Sequence, residues 1–193
     1  MDRYQVLPGL PAEGPVAVPF GAGGRTGAWS GYSEGFVVRF CPGTDETWVA
    51  NFQPGSGGWD GMLEHPNRMH MIVLARGQGY VVDPMARLLV HTFSGNIQSV
   101  VELPDLGAIA FCDGIRFEAI NSDGIWWTSP RLAWDEIRNI KVQGTILRGE
   151  AYSPIRGGDS WVPFTLDLMT GQCEDGVYQR DIQGAIPIRK PEC

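Results

Sequence analysis

Histidine is scarce in this sequence: His65, His70 and His91 are the only three in 193 residues. If they converge with Asp60 or Glu64, they offer the nitrogen and oxygen donors that zinc takes. Their spacing has no motif quality, because the chain lacks HExxH, HxH and paired cysteine ligands. A histidine facing solvent from a strand is the plainer reading, so no metal and no cofactor is expected. Carboxylates come next. Asp123, Asp135, Glu136, Glu150, Asp159 and Asp167 are available to face one another across a cleft, as glycoside cleavage requires, with Asp135, Glu136 and Asp159 the candidates for catalysis. Asp135 stands out because Trp134 adjoins it and Arg131 precedes it; an aromatic ring beside a carboxylate can stack on a sugar and hydrogen-bond to it. With 22 acidic residues in the chain, chance pairs abound. Asp135 capping a turn, or pairing with Arg131 or Arg138, is the preferred account. No GxSxG elbow is present, Cys112 at a strand end reads as core, and GAGGRTG lacks the ending of a phosphate loop.

Tryptophan carries more information. There are seven, and Trp126 and Trp127 are adjacent, so on a strand they point to opposite faces. One enters the core, and the other lies in a second layer or near solvent. Trp126, Trp127, Arg131, Trp134, Asp135 and Arg138 together form the candidate binding surface. Exposed tryptophan and arginine are the residue types that most often anchor protein interfaces.

These residues need a scaffold, and the stretch 69–130 suggests which. It reads as two consecutive units of strand, turn and strand. Gly and Pro, 26 and 14 in number, break the chain into short apolar runs and favour antiparallel pairing. The pairs Asp113-Gly114 and Asp123-Gly124 are hairpin signals. The two units superpose at an offset of 37 residues, Ile72 on Ile109, Gly77 on Gly114, Leu88 on Ile125 and Thr92 on Ser129, with a further strand expected over 97–103. Four strands per roughly 40 residues is the rhythm of a propeller blade. Upstream, 36–40 and 47–52 read as strands, the latter placing Trp48, Ala50 and Phe52 on one face. The stretch 54–68 reads as a glycine-rich loop, with room for a helical turn near Met62. Downstream, 136–142, 145–151 and 161–168 read as strands, and Pro163 assigns the last to an edge or a bulge. The expected fold is all-β and antiparallel, a single domain that is two-sheeted or blade-like. It spans 34–177, between an N-terminal arm over 1–33 and a tail over 178–193.

A formal charge of −7 makes nucleic acid and anionic membrane poor partners. No apolar run approaches the span of roughly 20 residues that a bilayer needs. The four cysteines lack close spacing and the N-terminus lacks a secretory pattern, so free thiols and a cytoplasmic setting are expected. Cys41 and Cys112 read as buried.

The segments WVANFQPG, GQGYVVDP, SPRLAWD and WVPFTLDLMTG resemble a family of uncharacterised β-rich bacterial and plant proteins. The resemblance covers about 48–171 and implies a β-rich single domain with no known activity. The expected function is therefore a non-enzymatic protein-binding module, of an immunity-like or inhibitor-like kind, with a protein partner or a homodimer. The alternative is a hydrolase or carbohydrate-active protein built on Asp135 and its aromatic neighbours.

Overall fold

The computed structural model describes residues 3–23, 33–43, 46–155, 160–175 and 177–178. It is all-β and mostly antiparallel, with the strands in four sheets. The chain groups into two compact units, 1–100 and 101–193.

Unit 1 holds two sheets. β1 (Tyr4–Leu7), β2 (Val18–Phe20), β3 (Phe36–Phe40) and β4 (Trp48–Phe52) form the first, in the order β1-β3-β4-β2. The segment 1–33 thus contributes two strands, the second pairing in parallel with β4, where no strand had been expected. Alternation explains the core: Val38, Phe40, Trp48, Ala50 and Phe52 are buried on one face. Phe40 stacks on Trp48 with ring centres 4.7 Å apart, and Phe20 on Phe52 at 5.1 Å. The second sheet is a meander of β5 (Gly61–Glu64), β6 (Met71–Ala75), β7 (Gln78–Asp83) and β8 (Leu88–Phe93). Met71, Val73, Tyr80 and Val82 pack into the same cluster as the first sheet. Tyr80 donates its hydroxyl to the Gln53 carbonyl at 2.6 Å. The opposite face is also buried, with Ile72, Leu74 and Val81 all fully inaccessible.

β5 corrects the loop expected over 54–68. The glycines ahead of it permit close backbone packing. Gly55 and Ser56 donate backbone N–H groups to Ala75 and Gly95, and the Gly77 N–H reaches the Trp59 carbonyl. A Cβ on Gly55 would lie 2.5 Å from the Gly95 carbonyl oxygen, and one on Gly77 2.8 Å from the Gly57 Cα. Short range pattern alone reads such a segment as loop, because its glycines serve partners far along the chain.

Unit 2 repeats the meander in β9 (Ser99–Leu103), β10 (Ala108–Cys112), β11 (Phe117–Asn121) and β12 (Gly124–Thr128). β6 and β10 are 37 residues apart, and the turn glycines Gly77 and Gly114 both have positive φ, 79° and 91°. The last sheet has the order β13-β14-β15: β13 (Ile137–Gln143), β14 (Ile146–Ser153) and β15 (Ser160–Asp167). Pro163 does fall on an edge strand. Ala110, Phe117, Ala119, Trp127, Leu147, Ala151, Phe164 and Leu166 make the unit's core. Gly149 lies against the Phe164 ring, where a Cβ would come within 2.8 Å. β13 carries a bulge: Arg138 pairs with Glu150 and Lys141 with Arg148, three steps on one strand against two on the other. Asn139, inside the bulge, has φ 55°. Cys112 is buried in this core as expected, whereas Cys41 is half-exposed, since it stands just past β3.

Candidate functional site

The three histidines lie on one face of the β5–β8 sheet. His65 follows β5 and His70 precedes β6, so they flank a hairpin turn in which the His65 N–H reaches the His70 carbonyl at 3.3 Å. Their rings are 5.6 Å apart. His91 is on β8 opposite Val81, which in turn is opposite Ile72. Thus β7 separates His70 from His91; they are not on neighbouring strands. Asn67 ties the turn. Its backbone N–H donates to His65 Nδ1 at 3.1 Å, its Oδ1 accepts from Met69 and His70 N–H at 3.0 Å each, and its amide lies 3.1 Å from His70 Nδ1. His65 is 2% exposed, and burial, followed by the charge of His70, lowers its pKa to about 4; the Asn67 side chain pulls weakly the other way. Burial also lowers the His91 pKa, and its Nε2 is buried without a hydrogen-bond partner among the described residues.

The proposed oxygen ligands are elsewhere. Asp60 Oδ1 accepts the Arg76 N–H at 2.6 Å, and Glu64 sits 3.5 Å from Arg3. Among the described residues no group of three or more His, Cys, Asp or Glu side chains could hold a metal ion. His65 and His70 flank a hairpin turn, and burial disfavours the charged form of His65 and of His91.

The carboxylates expected to act as a pair do not meet. Asp135 and Glu136 are consecutive and exposed, and Asp159 lies outside the described residues. The carboxylate that is engaged is Glu150. Its Oε2 accepts from Arg138 Nε at 2.8 Å and from Asn139 Nδ2 at 2.7 Å, and these bonds lower its pKa. Sequence reasoning passed over Glu118, whose pKa is raised by burial. One of its oxygens is buried with no partner among the described residues, and the other accepts from Thr128 at 3.4 Å. Its alternation with the core residues Phe117 and Ala119 is the signal that could have found it.

The candidate surface around residues 126–138 divides in three. Trp127 is core: it is 8% exposed and donates its indole N–H to the Leu168 carbonyl at 2.8 Å. Gly171, at φ 71°, makes room for its ring. Trp126 is half-buried against the same cluster. Arg131 is held locally, Nε to the Ala133 carbonyl at 3.1 Å and a terminal nitrogen to the Trp134 carbonyl at 2.6 Å. Its guanidinium lies 4.2 Å from the Tyr178 ring centre and 5.9 Å from that of Trp134. Arg138 is the member that belongs to an open strand face. It stacks 3.7 Å over Trp161, and Trp161 in turn lies 5.6 Å from Tyr152. Strand register explains the grouping. Arg138 is opposite Glu150, and Tyr152 is opposite Trp161, on the face turned away from Leu147 and Ala151. Trp161, Tyr152 and Glu150 were not among the expected binding residues, because they are far from 126–138 in sequence and join it only through β14 and β15.

Concave surface occurs in unit 1. A cleft of about 200 Å³ is lined by Glu34, Gly35, Phe36, Pro54, Asp60 and Arg76; Asp135 and Glu136 have no part in it.

No family model matches the chain. No curated protein matches it either. Among solved structures, one described as the crystal structure of the eukaryotic initiation factor is similar at 8% identity and a TM-score of 0.38, covering 75% of this chain and 40% of that one. This chain therefore spans about two fifths of that structure's length, and a likeness at that TM-score carries no argument. Among the described residues no helix is long and apolar enough to cross a membrane.

Proposed function

We propose that this chain is a non-catalytic protein-interaction module that engages its partner through the outward face of β13–β15. The observation that carries this reading is the Arg138 guanidinium, stacked at 3.7 Å on Trp161 and fixed at 2.8 Å by Glu150. An arginine and a tryptophan already locked in place have less conformational entropy to lose on binding, and these two residue types dominate interface energetics. The free thiol at Cys41 suits a reducing, cytoplasmic setting. We further propose that the four sheets are blades of a propeller-type arrangement; the matching meanders at a 37-residue offset support it. An experimental structure without radially disposed sheets sinks that part.

The test of the interaction reading uses the immobilised protein as bait, alongside Trp161→Ala and Arg138→Ala, in lysate of the native host. A partner retained by wild type and lost by both variants, with near-ultraviolet circular dichroism unchanged, is the expected outcome. Equal retention by all three refutes the reading.

A further inference from the structure

The same strand face carries a feature that the Arg138–Trp161 stack does not use. Lys141 on β13 and Arg148 on β14 are directly opposite in register, so both project to the same side. Both are exposed. Arg148 reaches Gln143 Oε1 at 3.3 Å, and among the described residues neither cation makes an ion pair. Like charges directly opposite in an antiparallel pair destabilise it. The arrangement is the more unusual in a chain of net charge −7, where carboxylates to neutralise it are plentiful.

Edge protection accounts for part of this at most. Lysine on an edge strand discourages pairing with other chains, and β13 is an edge. Arg148, however, is on β14, which is paired on both sides and needs no such guard. An acid supplied from outside explains both residues. The remainder of the face gives that acid a context. Following the register from one end, Tyr152 and Trp161 come first, then Glu150 and Pro163, then Arg148 and Thr165, then Ile146 and Asp167. The aromatic pair and the cation pair are four strand positions apart, about 14 Å at the usual rise.

We propose that this face receives an extended acidic segment of a partner protein. Carboxylates of that segment neutralise Lys141 and Arg148, and an apolar side chain about four residues away rests on Trp161. This rests on the interaction reading above and names the partner's chemistry. A polypeptide is favoured over a nucleic acid because the cationic stretch is short. Glu150 and Asp167 bracket it, so a continuous run of phosphates would meet a carboxylate at either end.

The probe is a fluorescein-labelled random copolymer of glutamate and tyrosine, titrated with the intact protein and followed by anisotropy at low and at moderate salt. Wild type binds and weakens with salt. The double reversal K141E/R148E weakens binding at least tenfold, and Trp161→Ala weakens it severalfold. Arg116→Glu, at the exposed residue that ends the 113–116 turn, leaves it unchanged. The reversed variant still sets two like charges opposite each other, so no gain in stability is expected of it; an unchanged near-ultraviolet circular dichroism spectrum in the absence of probe shows that weaker binding is not a folding defect. Failure of wild type to bind the copolymer, or equal binding by the double reversal, overturns the inference. So does tighter binding of an oligouridylate of matched length. If a native partner is still lost on Trp161→Ala but retained by K141E/R148E, the acidic-segment inference fails while the interaction reading stands. If neither variant loses the partner, both fail.

Discussion

The β5–β8 sheet and the β13–β15 sheet handle polar side chains in opposite ways. The first buries both faces of its inner strands β6 and β7, and His65 is buried too, at 2% exposure. There the ring is kept neutral, and its nitrogen serves as an acceptor for the Asn67 N–H. The second buries one face and exposes Arg138, Lys141 and Arg148 on the other. Desolvation explains the contrast. A charge out of water needs a partner, so a buried base in the first sheet, such as His65, gives up its proton. On an open face a cationic side chain stays hydrated and available to a ligand. Polarity in the first sheet is therefore structural, and polarity in the last is where recognition would lie.

The largest expected effect strikes the first region. Gly55→Ala places a Cβ 2.5 Å from the Gly95 carbonyl oxygen, which only backbone displacement can relieve. We expect a loss of about 3 kcal/mol, read as a lower urea midpoint. A loss below 0.5 kcal/mol would show that the 54–59 backbone is not packed as described. Next is pH. The unfolded chain titrates its imidazoles near 6.5, whereas folded His65 has a pKa of about 4. Between those values the unfolded state binds the proton first, so stability is full above pH 6.5 and falls as pH drops towards 4. The loss is on the order of 2–3 kcal/mol, with the lowered His91 acting in the same direction. His65→Gln flattens that slope in chemical denaturation across the range; an unchanged slope would place the effect elsewhere.

Much of this was legible in the sequence. Alternation placed Trp48, Ala50 and Phe52 on one face, and the turn glycines marked both meanders. Pro163 marked an edge. What could not be read was anything set by partners distant along the chain. β2 exists because β4 offers it a parallel neighbour, and β5 because β6 pairs with it, although both lie among glycines and prolines. The site shows the same division. Arg138 could be named from its surroundings, but Trp161 and Glu150 join it only through the register of β13, β14 and β15. Trp127 looked like a surface anchor until the Leu168 carbonyl and Gly171 proved to accommodate it.

The smaller predictions sharpen the contrast from the other side. A double-mutant cycle on Arg138→Ala and Trp161→Ala should give a coupling of about 0.5–1 kcal/mol, the usual size for an exposed cation–π contact. A coupling of zero by thermal denaturation would mean the stack contributes nothing in solution. Asp135→Ala should change stability by less than about 0.5 kcal/mol, because the residue is exposed; a larger loss would reveal a structural tie for Asp135 and undo its description as a plain surface acid.

The extra residue at Asn139 sets the phase of everything after it. Before it, even-numbered positions of β13 look outward; beyond it, odd-numbered ones do. Excising that one residue would leave two steps against two, so Lys141 would still stand opposite Arg148 and look outward, with the bulge gone. The bulge is thus what lets two cations of opposite numbering parity, Arg138 and Lys141, share one face.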